Sequence, residues 1–424
     1  MCDAGGVRMN LATGPDPTDL LTLPWSVPLE EWPHEHLVSL PRGISRHVVR
    51  FATIGGTVYA VKEIAQETAQ REYGLLRSLA RAGIPVVEAV GVVSGRATPA
   101  GEPLDSALVT KHLRFSLPYR ALFSRRLDHD LETKLLDALA ELIVKLHLAG
   151  FAWGDCSLSN TLFRRDAGAL SAYLVDAETG QLHPRLSDGQ RDYDLELART
   201  NLGGELLDLQ GAGLLSASVD PITTAESVVD RYCRLWDELT RPQTISADEW
   251  DRIEQRLRRL NALGYDVSQI EVDEVEGRPE IFLQTQVVEA GHHRRRLQQL
   301  TGLDVGENQA RRILNDLDTF RAQAVMPGTD VDEAEVARHW KSDVFEPVVA
   351  LIGPELAAKL EPAEFYHEVL EHRWFLSEAA GRSVPLEKAA RSYIDTVLRF
   401  RPDERAVLDP TLMGVGQVEA AEDS

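Results

Sequence analysis

Apolar positions first gather in two short runs, ISRHVVRFAT (44–53) and TVYAVKEI (57–64), on either side of Gly55–Gly56, the pattern of a hairpin. From 66 to 82 the period changes. Tyr73, Leu75, Leu76 and Leu79 fall at helical spacing, and Gly83 and Pro85 stop the run. VVEAVGVV (86–93) and SALVTKHL (106–113) read as two more strands. A stronger helical stripe, Leu135, Leu136, Leu139, Leu142, Ile143 and Leu146, spans 129–149 and closes at Gly150. A polar loop (153–160) follows, then the strand TLFRR, an Asp-Ala-Gly turn, the apolar strand AYLVD (172–176) and a helix over about 191–209. The first half therefore predicts a lobe of about five strands feeding a helical lobe with a small internal hairpin.

From Gly211 the pattern is mainly helical, over roughly 222–240, 246–263, 306–325, 331–352, 362–380 and 384–400. A hairpin over 268–288, turning at Glu276-Gly277-Arg278-Pro279, interrupts it. Four segments are expected: a disordered lead-in (1–22), a first domain (23–210), a second (211–405) and a flexible tail (406–424). LPWSVPLEEWP (23–33) predicts an extended segment packed on the first domain.

Composition is ordinary for a globular chain of 424 residues, with 43% hydrophobic and 26% charged positions. No apolar run is long enough for a membrane span, and residues 1–25 lack a secretory pattern. Cys2, Cys156 and Cys233 lie far apart with no CxxC, which argues against a disulfide framework. The expected location is the reducing cytoplasm. The net charge of −22 repels phosphate backbones, so nucleic acid is not an expected partner. Oligomeric state is left open.

Chemistry concentrates in residues 147–178. Asp155 could accept a proton from a nucleophilic hydroxyl or orient it. Asn160 could offer an oxygen to a divalent cation at the same centre. Asp176, at the end of an apolar strand, is costly without a metal or partner. Hard oxygen ligands of this kind suit Mg²⁺ held jointly with substrate phosphates.

Asp155-Cys-Ser-Leu-Ser-Asn160 and Val175-Asp176-Ala-Glu178 resemble the catalytic loop and metal-binding segment of the protein-kinase-like superfamily. Upstream, Lys62 in YAVKEI is similar to the strand lysine that pairs nucleotide phosphates, and Glu72 to its ion-pair partner. LVTKHL (108–113), with Lys111 and Leu113, falls where such folds lead to the adenine-binding hinge. Gly154 before Asp155 and the short Lys62–Glu72 spacing point to bacterial lipopolysaccharide (Kdo/heptose) kinase-like proteins, particularly a group with an added C-terminal domain of unknown function. The resemblance covers about residues 40–210. It implies an α+β, bilobal protein-kinase-like fold, with a strand-rich N-lobe and helical C-lobe, followed by a mainly helical C-terminal domain with one hairpin. It also implies ATP, Mg²⁺ and phosphoryl transfer to a hydroxyl of a small-molecule or glycan-type acceptor, such as a sugar or lipid-linked sugar. A protein reached through the C-terminal domain stands as a further partner.

Asp155 is then the catalytic residue, Asn160 and Asp176 the metal ligands, and Lys62, Glu72, Gly43, Ser45, Lys111 and Leu113 the ATP-binding set. The departures are specific. Trp153 stands where the family has a histidine, Asp-Phe-Gly reads Asp176-Ala177-Glu178, and no GxGxxG or GxxxxGK[ST] occurs. Only the turn Pro41–Arg46, with Gly43, could cover the phosphates. Two alternatives remain: a pseudokinase acting as a nucleotide-binding or interaction module, and a kinase fold that transfers AMP.

Four weaker signals are set aside or left open. His367 and His372, five apart, point roughly 140° apart on a helix and cannot share zinc as an i, i+4 pair would. The basic cluster 291–296 reads as a solvated face paired with nearby acids, with an anion or partner site as the second reading. Cys156 reads as space-filling. Asp194 is either an anchor for the catalytic loop or a surface charge.

Overall fold

Strands β1 (Arg8–Leu11), β2 (Val49–Ile54), β3 (Thr57–Ile64), β4 (Ala89–Ser94) and β5 (Ser106–Lys111) form one antiparallel sheet in the order β1-β4-β5-β3-β2. The computed structural model describes residues 8–11, 20, 22–38, 47–124, 129–240, 243–246, 269–275, 278–284, 291–324, 332–401 and 403. The lead-in expected to lack order thus supplies a strand. β1 runs along β4 from Arg8↔Ser94 to Leu11↔Gly91, and its four residues are too few for an alternation to stand out in the sequence. The rest of the lead-in, except Leu20 and Thr22, lies outside the described residues, as does the tail 406–424.

Alternation along β3 decides what each face carries. Tyr59 and Val61 join the core against which Trp25 and Trp32 pack, whereas Ile64 packs with Ala69 of the following helix. Lys62 shares the Ile64 face by the same alternation. The Trp25 and Trp32 rings meet edge to face at 5.2 Å, and Arg96 donates to the carbonyls of Trp25 (3.0 Å) and Val27 (2.7 Å). Segment 23–33 does pack on the sheet, through a short 3-10 turn at Leu29–Glu31 rather than wholly extended.

Helix α1 (Gln66–Arg81) follows β3 almost directly and buries Ala69, Glu72, Leu76 and Leu79, a single helical stripe. Next come β6 (Leu117–Pro118), α2 (Tyr119–Ser124), α3 (His129–Leu148) and β7 (Phe151–Ala152). They are followed by β8 (Thr161–Asp166), β9 (Ala169–Leu174), β10 (Gln181–Leu182), α4 (Asp188–Gly211) and α5 (Pro221–Thr240). α4 opens with a capping box between Ser187 and Gln190. α3, α4 and α5 share one apolar core, which runs on past residue 210 to Tyr232 and Leu239.

The C-terminal part has its own core, around Leu317, Trp340, Phe365 and Tyr366. The expected hairpin is present as β12 (Gln269–Val275) and β13 (Arg278–Gln284), and β11 (Gln243–Ser246) adds a third strand beside β13. Of the helix expected over 246–263, all but Ser246 lies outside the described residues. Helices α6 (His292–Thr301), α7 (Glu307–Ala324), α8 (Glu333–Trp340), α9 (Glu346–Val349), α10 (Pro362–Ala380) and α11 (Leu386–Thr396) follow. The helix expected over 331–352 is broken by a π turn at Lys341–Phe345, next to Pro347, which has no N–H to continue an α ladder. No helix among the described residues is long and apolar enough to cross a membrane.

Candidate active site

Lys62, from β3, is almost fully buried, and its Nζ is shared by three carboxylates. It donates to Glu72 Oε2 at 3.1 Å, Asp176 Oδ2 at 2.6 Å and Glu178 Oε2 at 2.9 Å. Burial opposes its charge, but Glu72 and Asp176 outweigh that and raise Lys62 above the ordinary lysine range. Glu72, on the buried stripe of α1, is pushed up to about 7 by burial and by Asp176, with Lys62 working the other way. Burial also acts against Glu178, yet Lys62 and His47 hold it below the usual carboxylate range. His47 Nε2 lies 2.9 Å from Glu178 Oε2, and the Arg71 guanidinium donates to the Glu178 carbonyl. The acid standing in the family's glycine position is thus tied to the lysine.

The loop before β8 holds the second group. Asn160 Nδ2 donates to the Asp155 carbonyl (3.2 Å) and to its Oδ2 (3.3 Å), which keeps the two side chains at one centre. The hairpin joins this centre to the first. Thr161 pairs with Leu174, and Val175 N donates to the Asn160 carbonyl at 3.0 Å. β9 ends two residues before Asp176, so Asp176 starts the next loop rather than ending the strand.

Helix α4 lies under the loop and grips it with three residues at i, i+7 and i+11. Asp194 accepts from Trp153 N (2.9 Å), Gly154 N (2.6 Å) and His147 Nε2 (2.9 Å). Burial would raise Asp194, but His147 and the two amides hold it below the usual range. This makes it the loop anchor, not a surface charge. Asn201 Nδ2 donates to Asp155 Oδ1 at 3.1 Å. Glu205 accepts from Leu158 N (2.6 Å), Ser159 N (3.1 Å) and the Ser159 hydroxyl. Asn201 and Glu205 escape a reading of the sequence; their only signal is their spacing from Asp194 along one face of a helix.

Trp153 ties the loop to Asp176 directly: its indole Nε1 donates to the Asp176 carbonyl at 3.0 Å. Gly154 has a left-handed backbone (φ 74°), and a Cβ there would stand 3.3 Å from the Thr179 carbonyl. Cys156 is buried, and burial together with Asp194 and Glu205 pushes its thiol well up, which suits a filler and not a nucleophile.

Lys111 and Leu113 are not part of this cluster. Lys111 pairs with Glu88 at 3.3 Å, both half exposed. Lys111 and Leu113 line a cavity of about 620 Å³ together with Tyr173, Arg294 and Glu361, and none of Lys62, Glu72, Asp155, Asn160 and Asp176 lines it. Gly43 and Ser45 lie outside the described residues. In the C-terminal part, His367 Nε2 lies 3.4 Å from Glu371 and His372 bonds Ser392 at 3.0 Å, so the two imidazoles face different partners. The basic cluster is paired with acids, His293 with Glu307, Arg294 with Asp304 and Arg296 with Glu333.

A lysine on an interior strand, its carboxylate partner on the next helix, an Asp–Asn loop and an aspartate after a short hairpin stand in the order that the kinase-like resemblance leads one to expect. Residues 52–207 match the lipopolysaccharide kinase (Kdo/WaaP) family model. The kinase-like match holds Lys62, Glu72, Asp155, Asn160, Asp176, Asp194, Asn201 and Glu205, and leaves Gly43 and Ser45 outside it. Residues 234–398 match a second model, a domain of unknown function (DUF4032). The structure of WaaP in complex with acyl carrier protein is similar over 60% of this chain and 99% of its own, at 20% identity and a TM-score of 0.36. The crystal structure of the BubR1 kinase domain is similar over 36% of this chain and 49% of its own, at 14% identity and a TM-score of 0.28. No curated protein matches the chain.

For a divalent cation, Glu72, Asp176 and Glu178 each offer a carboxylate oxygen, all within 4.8 Å of one another. The donors are hard oxygens, as Mg²⁺ prefers. Asn160 turns its amide nitrogen to Asp155, which leaves the amide oxygen for a ligand. The residues fit the group.

Proposed function

We propose that this chain is an ATP- and Mg²⁺-dependent phosphotransferase acting on a hydroxyl of a sugar, lipid-linked sugar or other small molecule. One observation carries the reading: a buried Lys62 bridges Glu72 and Asp176, and Asp176 is tied through a short hairpin to the Asp155–Asn160 centre. Glu72 fixes the lysine, and Lys62 turns from Asp176 and Glu178 to the α/β-phosphates. Asp176 and Asn160 hold the cation, which when bound neutralises charge developing on the phosphates. Asp155, held by Asn160 and Asn201, orients the acceptor hydroxyl and takes its proton. Lys111 and Leu113 belong to the hinge segment beside the adenine, and the turn with Gly43 and Ser45 covers the phosphates. The catalytic domain in this reading spans 23–210 with α5 packed on it, and the DUF4032 segment follows as a second domain.

Turnover tests the reading. Asp155→Asn abolishes transfer while ATP affinity stays within about threefold, because a residue acting on the acceptor contributes to kcat and not to nucleotide binding. A variant with normal turnover sinks the assignment. A second reading, a nucleotide-binding pseudokinase, draws on Glu178, which competes with phosphate for Lys62 at 2.9 Å. Mass spectrometry of the acceptor separates transfer of phosphate, transfer of AMP and no transfer.

A further inference from the structure

The β8–β9 hairpin starts and ends at the candidate metal ligands. Asn160 immediately precedes β8, Asp176 follows β9 by two residues, and the strands pair in register from Thr161↔Leu174 to Asp166↔Ala169. The far end is a tight turn in which Ala167 (φ 53°) and Gly168 (φ 81°) are both left-handed. An alanine adopts that backbone only where its surroundings impose it.

Here the surroundings are the C-terminal domain. Glu364, in the first turn of α10, accepts from Ala167 N (2.8 Å) and Gln309 Nε2 (2.7 Å) with one oxygen and from Gly168 N (3.4 Å) with the other. Asp166 answers in the opposite direction, accepting from the start of α7 through Gln309 N (2.8 Å) and Asn308 N (3.2 Å). Gln309 Nε2 also donates to the Arg165 carbonyl at 3.1 Å, and Arg164 Nε to Glu361 at 2.8 Å. Asp166, Gln309 and Glu364 are 1%, 0% and 2% exposed. Close approach is built in as well: a Cβ on Gly306 would fall 2.2 Å from Asp166 Oδ1. An apolar contact could slide, but a buried network of directed bonds fixes one position.

We propose that the C-terminal domain is a positioning part of the transfer site: through Glu364 and the start of α7 it clamps the tip of the β8–β9 hairpin and so sets where Asn160 and Asp176 stand. The proposal rests on the phosphotransferase reading for what those two residues do, and on this geometry alone for the clamp. α4 holds the loop 153–159 from below, and the C-terminal domain holds the hairpin that leaves it. A hairpin of this length is about 20 Å long, so a small tilt at the tip displaces its base. Transfer chemistry is sensitive to displacements of about 1 Å.

The test uses the full chain with Glu364→Ala, the milder Glu364→Gln, and Tyr366→Phe as a control that loses a 2.6 Å bond to Asp316 inside the C-terminal core. Amide hydrogen exchange is followed by peptide across 150–180. Glu364→Ala speeds exchange at 166–169 and on through 158–161 and 174–178, with α3 unchanged. Glu364→Gln, which still accepts, keeps most of the protection, and Tyr366→Phe keeps all of it. A rise confined to the turn, or the same pattern in Tyr366→Phe, overturns the clamp. In parallel, the Mg²⁺ concentration giving half of the ATP-dependent melting shift rises about tenfold in Glu364→Ala. If the unaltered chain shows the Mg²⁺-dependent shift and Glu364→Ala keeps the same midpoint, the clamp is overturned and the phosphotransferase reading stands. If the unaltered chain shows no such shift, that reading fails, and the exchange pattern alone decides the clamp.

Discussion

The indole of Trp153 donates to the backbone carbonyl of Asp176 at 3.0 Å, so the residue opening the 153–160 loop holds the candidate metal-binding segment directly. Its own amide is held by Asp194 at 2.9 Å. Helix α4, the loop and the Asp176 segment are therefore linked in series through one buried side chain.

Trp153→Phe removes that donor and keeps most of the ring volume. The change leaves the Asp176 carbonyl without this partner in a partly buried place, and is expected to cost about 1–3 kcal/mol. Urea unfolding of the pure variant measures it. Stability equal to that of the unaltered chain would mean that the bond supports nothing.

Asn201→Leu frees Asp155 Oδ1 from its amide partner without touching Lys62, Glu72 or Asp176. The expected result is a fall in kcat of about tenfold to a hundredfold with KM for ATP unchanged, since misplacement of an acceptor-side group is felt in the chemical step. Steady-state kinetics with varied ATP checks it. An equal rise in KM for ATP would place Asn201 in nucleotide binding instead.

His112 supplies a pH test. Burial pushes its imidazole down to about 4, and its ring packs edge-on against Phe51 at 5.5 Å. A histidine depressed in the folded state contributes stability above its unfolded value of about 6.5, and that contribution is lost as pH falls through about 4. Over that window the unaltered chain is expected to lose about 3 kcal/mol more than His112→Phe. Parallel melting curves of the two proteins from about pH 7 to pH 4 would contradict the assignment.

Much of the grouping of the candidate site is legible in the sequence because its parts occur in a fixed order on alternating elements: Lys62 on a strand, Glu72 on the next helix, Asp155 and Asn160 in one loop, Asp176 after a hairpin. Lys62 and Glu72 meet at 3.1 Å, and Asp155 and Asn160 share a centre. What stayed hidden is what contacts between distant segments decide. Asp194 reads equally well as an anchor or a surface charge until α4 is seen under the loop. Asn201 and Glu205 look like ordinary polar positions on a helix whose apolar stripe is Leu195, Ala198, Leu202 and Leu206. Asp166-Ala167-Gly168 has the local pattern of any surface turn, and nothing nearby announces that Glu364, almost two hundred residues later, holds it. β1 is hidden for another reason, because a four-residue edge strand takes its identity from its neighbour β4.

Glu205→Ala is expected to loosen the loop without touching a group that meets substrate. Leu158 N and Ser159 N lose their acceptor, at a cost of about 1–3 kcal/mol in urea unfolding. Faster amide exchange at 156–160 should accompany it. Unchanged exchange there would show that the loop is held by Asp194 alone.

Whether Lys62, Asp176 and Asn160 form a working nucleotide–metal site is decided by a thermal melt with ATP, with and without Mg²⁺, beside Asp176→Asn. At about a hundred times its dissociation constant a ligand adds roughly 2.7 kcal/mol, a shift of several degrees. Mg²⁺ with ATP is expected to raise the midpoint in the unaltered chain and not in Asp176→Asn. A midpoint unmoved by millimolar MgATP, or moved equally in the variant, would contradict it.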